Sequence, residues 1–436
     1  MADEKIKAVI LAGGKGSRMG QEYADIPKPM IRLAGKPVLQ YQIESLYRQG
    51  IRNIILAVGH KREVIQTYWK NRKNLPGEDI NISFLSEEMP LGTGGVLFFL
   101  KDILNEDFLF LNGDVLFDVD LERFRQVHLE QRRKGALATI LVHPNQHPYD
   151  SAVVVANADG CVTDWLNKEE QRGWYRNCVN AGLHFLSPEI FPYLKGKGFL
   201  LKEEKLDLDR DILKLLMKER RLYIYESPEY VKDMGTPERC RQVEEDIRQN
   251  RLEEKNLQRK QKAIFLDRDG TINEYVGFLR KADEFRLLPG AAKAIRMMNE
   301  KNYLVIVVTN QPVVARGETT VEELERIHCK METLLGREGA YVDAVYYCPH
   351  HPDKGYPGEV KKLKTECACR KPKPGMLLAA AKRYNIQLSD SWMAGDSEAD
   401  MQAGERAGCH TAGLYGCQGK DGSFSSLLEF SEFLCR

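Results

Sequence analysis

Ala263-Ile-Phe-Leu-Asp267-Arg-Asp269-Gly-Thr-Ile-Asn273 decides the fold of the second half of the chain. Four apolar residues run straight into two carboxylates at i and i+2, followed by Gly-Thr. A short apolar run of this kind reads as a buried strand, and carboxylates at its end stand at the rim of a sheet. Two acids so placed can share one metal ion. The first can attack phosphorus while the second handles a proton. Working outward, helix-period stretches at Ala291–Met298 and Val321–Leu335 alternate with apolar runs at Leu304–Val308, Val342–Tyr347 and Trp392–Ala394. This alternation predicts crossover units and a mostly parallel sheet.

Towards the N-terminus the same grammar appears a second time. Ala8–Leu11, Ile54–Val58, Phe108–Leu111 and Ala138–Val142 read as buried strands, and Val38–Arg48 as a helix. Between the two halves, Val243–Lys262 is dominated by Glu, Arg, Lys and Gln. It reads either as a solvated linker helix or as the last helix of the first domain, packed on one thin stripe. The expected division is residues 1–242, a linker helix at 243–262, and residues 263–436. The fold class is α/β, with two doubly wound, mostly parallel-sheet domains. A length of 436 residues accommodates two cores.

Composition narrows the function. Sixty-four basic residues against 63 acidic leave a net charge of +1, so no whole-molecule field draws the chain to nucleic acid or membrane. Anionic ligands need local sites. No apolar run reaches the ~18 residues of a membrane span, and the start Met-Ala-Asp-Glu-Lys-Ile-Lys lacks a signal-peptide pattern. A cytoplasmic enzyme is expected. In that compartment a cluster among the ten cysteines reads as metal ligation rather than disulfides.

The strand Ala8–Leu11 runs into Ala12, Gly13, Gly14 and Gly16, with Arg18 and Lys28 beyond. Glycines there let backbone N–H groups close around a phosphate. The spacing matches neither a dinucleotide fingerprint nor a P-loop. Four further pieces complete the pattern: Leu91-Gly92-Thr93-Gly94-Gly95, Leu109-Phe-Leu-Asn-Gly-Asp114, Asn180-Ala-Gly182 and Lys232-Asp233-Met-Gly-Thr-Pro237. Two strand-end carboxylates beside a phosphate cradle suit Mg²⁺ with a nucleotide. In this order the pieces resemble the sugar nucleotidyltransferases, the nucleoside-diphosphate-sugar pyrophosphorylases, over about residues 5–240. The resemblance implies nucleoside triphosphate binding by Ala12, Gly13, Gly14, Arg18 and Lys28, with Arg18 and Lys28 also catalytic. It places Glu88, Gly92 and Thr93 near the base and ribose, and Asp114 and Asp233 on Mg²⁺. Asn180 and Gly182 would face the sugar and Lys168 the sugar phosphate. Asn167-Lys168 stands where many members have Glu-Lys. The implied reaction is in-line attack of a sugar 1-phosphate on the α-phosphorus, with loss of pyrophosphate.

The segment at Asp267 resembles the haloacid dehalogenase (HAD) phosphatase superfamily. The resemblance implies Asp267 as nucleophile, Asp269 as general acid and base, and Lys371 as the charge-balancing lysine. Thr309 and Asn310 would hold phosphate, and Asp267, Asp269 and Asp396 would hold Mg²⁺. Cys348-Pro-His350-His351 and Cys367-Ala-Cys369 supply two close pairs of soft ligands, read as a closed structural zinc site of Cys348, His350, Cys367 and Cys369, with His351 as the alternative to His350. Zinc in this loop marks the subgroup of heptose 1,7-bisphosphate and histidinol-phosphate phosphatases. Arg316, Arg370 and Lys371 are basic candidates for a second substrate phosphate. Pro312-Val313 replaces the usual Ser-Gly of the subgroup, and Ser397 stands where heptose enzymes frequently have Lys.

Together the halves imply consecutive steps: removal of the 7-phosphate from a heptose 1,7-bisphosphate, then nucleotidyl transfer, GMP from GTP favoured, to the heptose 1-phosphate. The rivals are another nucleotide (UTP, CTP, dTTP or ATP) with a phosphatase for a different sugar phosphate or histidinol phosphate, and a binding or regulatory protein with one inactive domain. Intact carboxylates in both halves count against the latter. Whether the chain forms a homo-oligomer stays open.

Overall fold

The structure is a computed structural model describing residues 6–14, 25–71 and 76–436. Its parallel sheets bear out the α/β reading. It divides into two compact units. The first comprises residues up to Val142, Val154–Trp165 and Asn180–Asn256. The second comprises His143–Val153, Leu166–Val179 and Leu257–Arg436.

In the first unit the strand Lys7–Leu11 is central, parallel to Asn53–Val58 on one side and to Phe108–Asn112 on the other. Asn81–Ser86 extends the sheet in parallel beyond Asn53–Val58. The chain therefore moves outward on one flank and then crosses back to the other, which makes the end of Lys7–Leu11 a topological switch point, where ligands of open α/β sheets bind. The sheet is mixed: Val179–Leu186 runs antiparallel to Phe108–Asn112, pairing Leu183 with Leu111. Ala8, Val9 and Ile10 are fully buried, as both faces of a central strand require.

The helix expected over 243–262 is different in extent. It spans Pro237–Arg248, capped by Thr236, whose side chain accepts from the Arg239 amide. Cys240 and Val243, three apart and on one face, enter a core cluster with Leu116, Tyr230 and Met234. That stripe makes it the closing helix of the first unit. The charge-rich composition reflects its solvated remainder.

The second unit holds a six-stranded sheet ordered Ala344–Cys348, Leu304–Asn310, Ala263–Leu266, Trp392–Gly395, His410–Leu414 and Gly422–Phe424. All five pairings are parallel. Ile264 and Leu266 enter one apolar cluster, Ala263 and Phe265 another. This two-sided burial explains the unbroken apolar run that precedes Asp267. The same unit includes Leu166–Val179, where the Tyr175 amide donates to Thr333 Oγ1 at 2.8 Å and the Asn177 amide to Glu332 Oε2 at 2.8 Å. Residues 143–153 and 166–179 thus fall outside the expected grouping of residues 1–242. Among the described residues no helix is long and apolar enough to cross a membrane.

Candidate active sites

In the second unit three neighbouring strands end at one place. Asp267 follows Ala263–Leu266, Thr309 and Asn310 close Leu304–Asn310, and Asp396 follows Trp392–Gly395. They line a cavity of about 350 Å³ with Asp269, Arg370, Lys371 and Asp400. Lys371 is 4% exposed. Its Nζ donates to Asp267 Oδ1 at 2.8 Å and to the Val308 carbonyl at 2.6 Å, and pairs with Asp400 Oδ1 at 2.6 Å. Asn310 makes reciprocal bonds of 3.0 Å to the backbone N–H and C=O of Lys371. Asn310, on the cavity wall, thereby also fixes the backbone of the lysine.

Gly270 lies at φ +84°, and a Cβ there would sit 2.0 Å from Asp396 Oδ2. Only glycine lets the turn after Asp269 pass this carboxylate. Asp267, Asp396 and Asp400 can each place an oxygen within 4.8 Å of the others. Burial pushes Asp267 up to about 7, with Lys371 opposing and Asp400 reinforcing the rise. Burial, then Asp400, pushes Asp396 up to about 6. Three crowded carboxylates against one lysine make a site that is short of positive charge.

Asp269, expected among the metal carboxylates, has its side chain committed elsewhere. Arg268 Nη2 donates to Oδ2 at 2.7 Å and Asn273 Nδ2 to Oδ1 at 3.0 Å, while Gln311 Nε2 reaches Oδ2 at 2.8 Å. Burial raises the Asp269 carboxyl, but these donors, Arg268 foremost, bring it below the ordinary value. Asp400, absent from the carboxylates expected on the metal, is the third member of the group with Asp267 and Asp396. The available signal was a second acid four residues on from Asp396, in the first turn of the helix Glu398–Ala407 that follows the strand end.

Cys348, His350, Cys367 and Cys369 come together as expected. The sulfurs lie 3.2–3.4 Å apart, and His350 Nδ1 is 3.6 Å from Cys348 Sγ and 3.4 Å from Cys369 Sγ. His351 is turned away, its Nε2 facing Arg316 Nη2 at 3.2 Å. The choice between the two histidines thus falls on His350. Arg316 is not on the cavity wall. Its guanidinium lies 4.3 Å from the Phe278 ring centre and 4.7 Å from that of Tyr356, and it supports Phe278, which does line the cavity. Arg370 lines the cavity and donates to the His350 carbonyl at 3.3 Å.

In the first unit, Lys28 Nζ donates to Asp114. Asp233 lies beside that pair: the Met234 amide donates to the Asp114 carbonyl at 2.9 Å, and Arg239 Nη1 donates to both Asp233 oxygens, at 2.7 and 3.0 Å. Burial works to raise the Asp233 carboxyl, but Arg239 and Lys28 hold it below its usual value. Gly13 lines a second cavity of about 470 Å³ with His60, Arg62, Glu63, Glu87 and Glu88. Ala12 is fully buried, its amide donating to the Ala57 carbonyl at 2.8 Å. Gly14 is exposed and has open space around it. Gly16 and Arg18 lie outside the described residues.

The Gly92–Thr93 turn packs against the chain at Leu206 and Leu208. Thr93 Oγ1 accepts from the Leu208 amide at 2.8 Å. A Cβ on Gly92 would lie 2.4 Å from the Leu206 carbonyl. The turn is thereby locked to the segment carrying Asp209, whose Oδ1 lies 3.4 Å from Asn180 Nδ2. Asn180 Oδ1 in turn accepts from the Gly182 amide at 3.1 Å. Asp209 carried no recognisable motif. Lys168, expected at the sugar phosphate, belongs to the second unit and pairs there with Asp150 at 3.3 Å.

The chain belongs to the nucleotidyl transferase family, matched over residues 7–250, and to the haloacid dehalogenase-like hydrolases, matched over residues 189–408. It joins a nucleotidyltransferase to a HAD phosphatase in one polypeptide. Among individual proteins it is 43% identical over 141 residues to the D-glycero-beta-D-manno-heptose-1,7-bisphosphate 7-phosphatase of Yersinia pestis, covering 32% of this chain and 73% of that one. It is similar to HddC from Yersinia pseudotuberculosis, at 24% identity and TM-score 0.47 over 56% of this chain and 99% of that one. It is also similar to the D,D-heptose 1.7-bisphosphate phosphatase of B. bronchiseptica in complex with magnesium and phosphate, at 35% identity and TM-score 0.36 over 40% of this chain and 98% of that one.

Proposed function

We propose that the phosphatase half removes the 7-phosphate of D-glycero-D-manno-heptose 1,7-bisphosphate, and that the transferase half then transfers GMP from GTP to heptose 1-phosphate, releasing pyrophosphate. The observation that carries this reading is the 43% identity to a 7-phosphatase, on a chain whose other half is a nucleotidyl transferase. The product of the first reaction is a sugar 1-phosphate, the acceptor class of the second.

In the phosphatase, Asp267 attacks phosphorus and Asp269 protonates the departing sugar oxygen. Water then attacks the aspartyl phosphate, with Asp269 taking its proton. Lys371 balances the charge of Asp267 and Asp400. Thr309 and Arg370, on the same cavity wall, serve the substrate's phosphates. Oxygen-rich, charge-deficient Asp267, Asp396 and Asp400 fit Mg²⁺, which supplies charge neutralisation at the phosphoryl oxygens when bound. Cys348, His350, Cys367 and Cys369 fit a structural Zn²⁺. Their separations are close to the ~3.7 Å edge of a tetrahedron with Zn–S bonds near 2.3 Å.

In the transferase, Asp114 and Asp233 are oxygen donors suited to Mg²⁺, and Lys28 is placed to meet the triphosphate. Guanine is favoured by the carboxylates of the second cavity. Burial raises the Glu87 carboxyl, which accepts weakly from the Leu91 amide at 3.3 Å. Glu88 lies beside it on the wall. Of the common bases only guanine offers two adjacent donors, N1–H and N2–H₂, to a carboxylate. Both substrates are metabolites of the cytoplasm, where the reading places the enzyme.

The test is incubation with heptose 1,7-bisphosphate and each nucleoside triphosphate in turn. Phosphate release without nucleotide, then pyrophosphate release with GTP above the others, is expected. No phosphate from the bisphosphate would overturn the substrate assignment, and equal use of all nucleotides would overturn the choice of guanine.

A further inference from the structure

Between the two aspartates of Asp267-Arg268-Asp269 stands the largest fully buried side chain in the described structure, Arg268, at 0% exposure. A guanidinium withdrawn from water needs acceptors for its rigid set of donors. Arg268 finds one acceptor group in Asp269, with Nε to Oδ1 at 3.2 Å and Nη2 to Oδ2 at 2.7 Å. It finds the other in His328, whose Nε2 lies 3.2 Å from Nη1.

His328 sits on the helix Val321–Arg337 and is 2% exposed. Arginine only donates, so Nε2 must present its lone pair and the ring proton must sit on Nδ1. Glu325 Oε2 stands 3.9 Å from that nitrogen. Burial, ahead of every other cause, keeps His328 below its ordinary pKa and therefore neutral. The Tyr347 ring, 5.5 Å away, packs against the imidazole.

We infer that His328 is a positioning residue for the phosphatase: by accepting from Arg268 it fixes the guanidinium fork that aims the Asp269 carboxyl at the leaving oxygen. This rests on the reading of Asp269 as the acid that protonates the sugar oxygen as its bond to phosphorus breaks and the Asp267–phosphorus bond forms. His328 touches neither substrate nor Asp269. It acts by removing rotational freedom from the one side chain that grips Asp269 with two bonds.

The reasoning predicts a loss that depends on the leaving group. An alkyl alcohol departs poorly without a proton, and general acid catalysis is worth about 10²–10⁴-fold. A nitrophenolate departs without help. In H328L, which has no acceptor for Arg268, kcat/KM, which reports the step that expels the leaving group and not the later hydrolysis shared by all substrates, is expected to fall at least about tenfold with an alkyl phosphate (heptose bisphosphate or glycerol phosphate) and less than about threefold with p-nitrophenyl phosphate. In H328Q the amide oxygen can accept from Arg268, and alkyl phosphate turnover is expected within about threefold of the parent. Equal losses on both substrates in H328L, or no loss at all, would overturn the inference. So would a failure of H328Q to exceed H328L.

Should H328L not fold, the unmodified full-length chain labelled with ¹⁵N-histidine decides: a neutral ring with N–H on Nδ1 is required, and N–H on Nε2 overturns the proposal. A parent protein inactive on both substrates would instead refute the phosphatase reading itself, so the two failures are distinguishable.

Discussion

Lys371→Met keeps the length and stem of the side chain and deletes the one ammonium among the buried carboxylates. In the parent, Nζ stands 2.8 Å from Asp267 and 2.6 Å from Asp400. At an effective dielectric near 20, a pair at 2.8 Å attracts by about 6 kcal/mol before desolvation. Removing one partner of such a buried pair has a net cost of about 3–5 kcal/mol. For a unit of this size each kcal/mol moves the transition by about 2–4 °C, so a fall in Tm of about 6–20 °C is expected in chelator at pH 8.

The sign with pH follows from Asp267. Its pKa is already raised to about 7 in the folded state, against about 3.9 when unfolded. The folded state therefore holds the extra proton between those values, and stability from this group declines as pH rises from about 4 to 7. Without Lys371 the pKa rises further, so the decline steepens and extends upward. The Tm gap between parent and variant should widen from pH 5.5 to pH 8, and millimolar Mg²⁺ should narrow it by restoring a cation. Scanning calorimetry of the full chain measures this. A shift below about 2 °C at pH 8, or a gap that shrinks with rising pH, would refute the charge-balance argument.

Asp267→Asn should abolish phosphate release and leave pyrophosphate release from supplied heptose 1-phosphate intact, whereas Asp114→Asn should do the reverse. Loss of both activities in either folded variant would count against two separate sites. Metal analysis should find about one zinc per chain, retained in His351→Ala and diminished in His350→Ala and Cys367→Ser, with transferase activity largely spared. Retention of zinc in His350→Ala would return the ligand role to His351. Gly270→Ala drives a methyl against Asp396 Oδ2 at a positive φ and should lower phosphatase activity by more than about tenfold with a destabilisation of about 1–3 kcal/mol. Unaltered kinetics would show that the turn relaxes freely.

Much of both sites could be read from the sequence because open α/β sheets put their chemistry where apolar strands stop. Asp267, Thr309 and Asp396 terminate three adjacent parallel strands, and each is visible as the first polar residue after an apolar run. The ligand spacing Cys348, His350, Cys367 and Cys369 survived intact for a similar reason: two short loops need only be brought together once. What escaped was settled by partners distant in sequence. Residues 166–179 join the second unit through bonds such as Tyr175 to Thr333, and nothing local to Lys168 announces that it will meet Asp150 there. Nothing local to Asn310 announces its two bonds to the Lys371 backbone, 61 residues away.

Arg268 is the sharpest case. In a pattern of two aspartates at i and i+2 the residue between them reads as a spacer. Arg268 instead folds back onto the neighbouring Asp269 carboxylate from a fully buried position. It carries the guanidinium into the interior, where water cannot satisfy it, and so obliges the fold to supply an acceptor. The helix Val321–Arg337 does so with His328, buried on the same helix as Leu324, Ile327 and Met331. A buried arginine bonded to a general acid tends to keep that acid ionised, which opposes proton donation. The arrangement makes chemical sense only if the incoming substrate phosphate changes the balance, drawing the positive field of Arg268 and Lys371 onto itself and raising the proton affinity of Asp269, so that the carboxyl holds the proton it then donates. Orientation by Arg268 and the timing of proton transfer are then two consequences of one buried charge, and the leaving-group dependence in His328 variants is where they part from simple structural support.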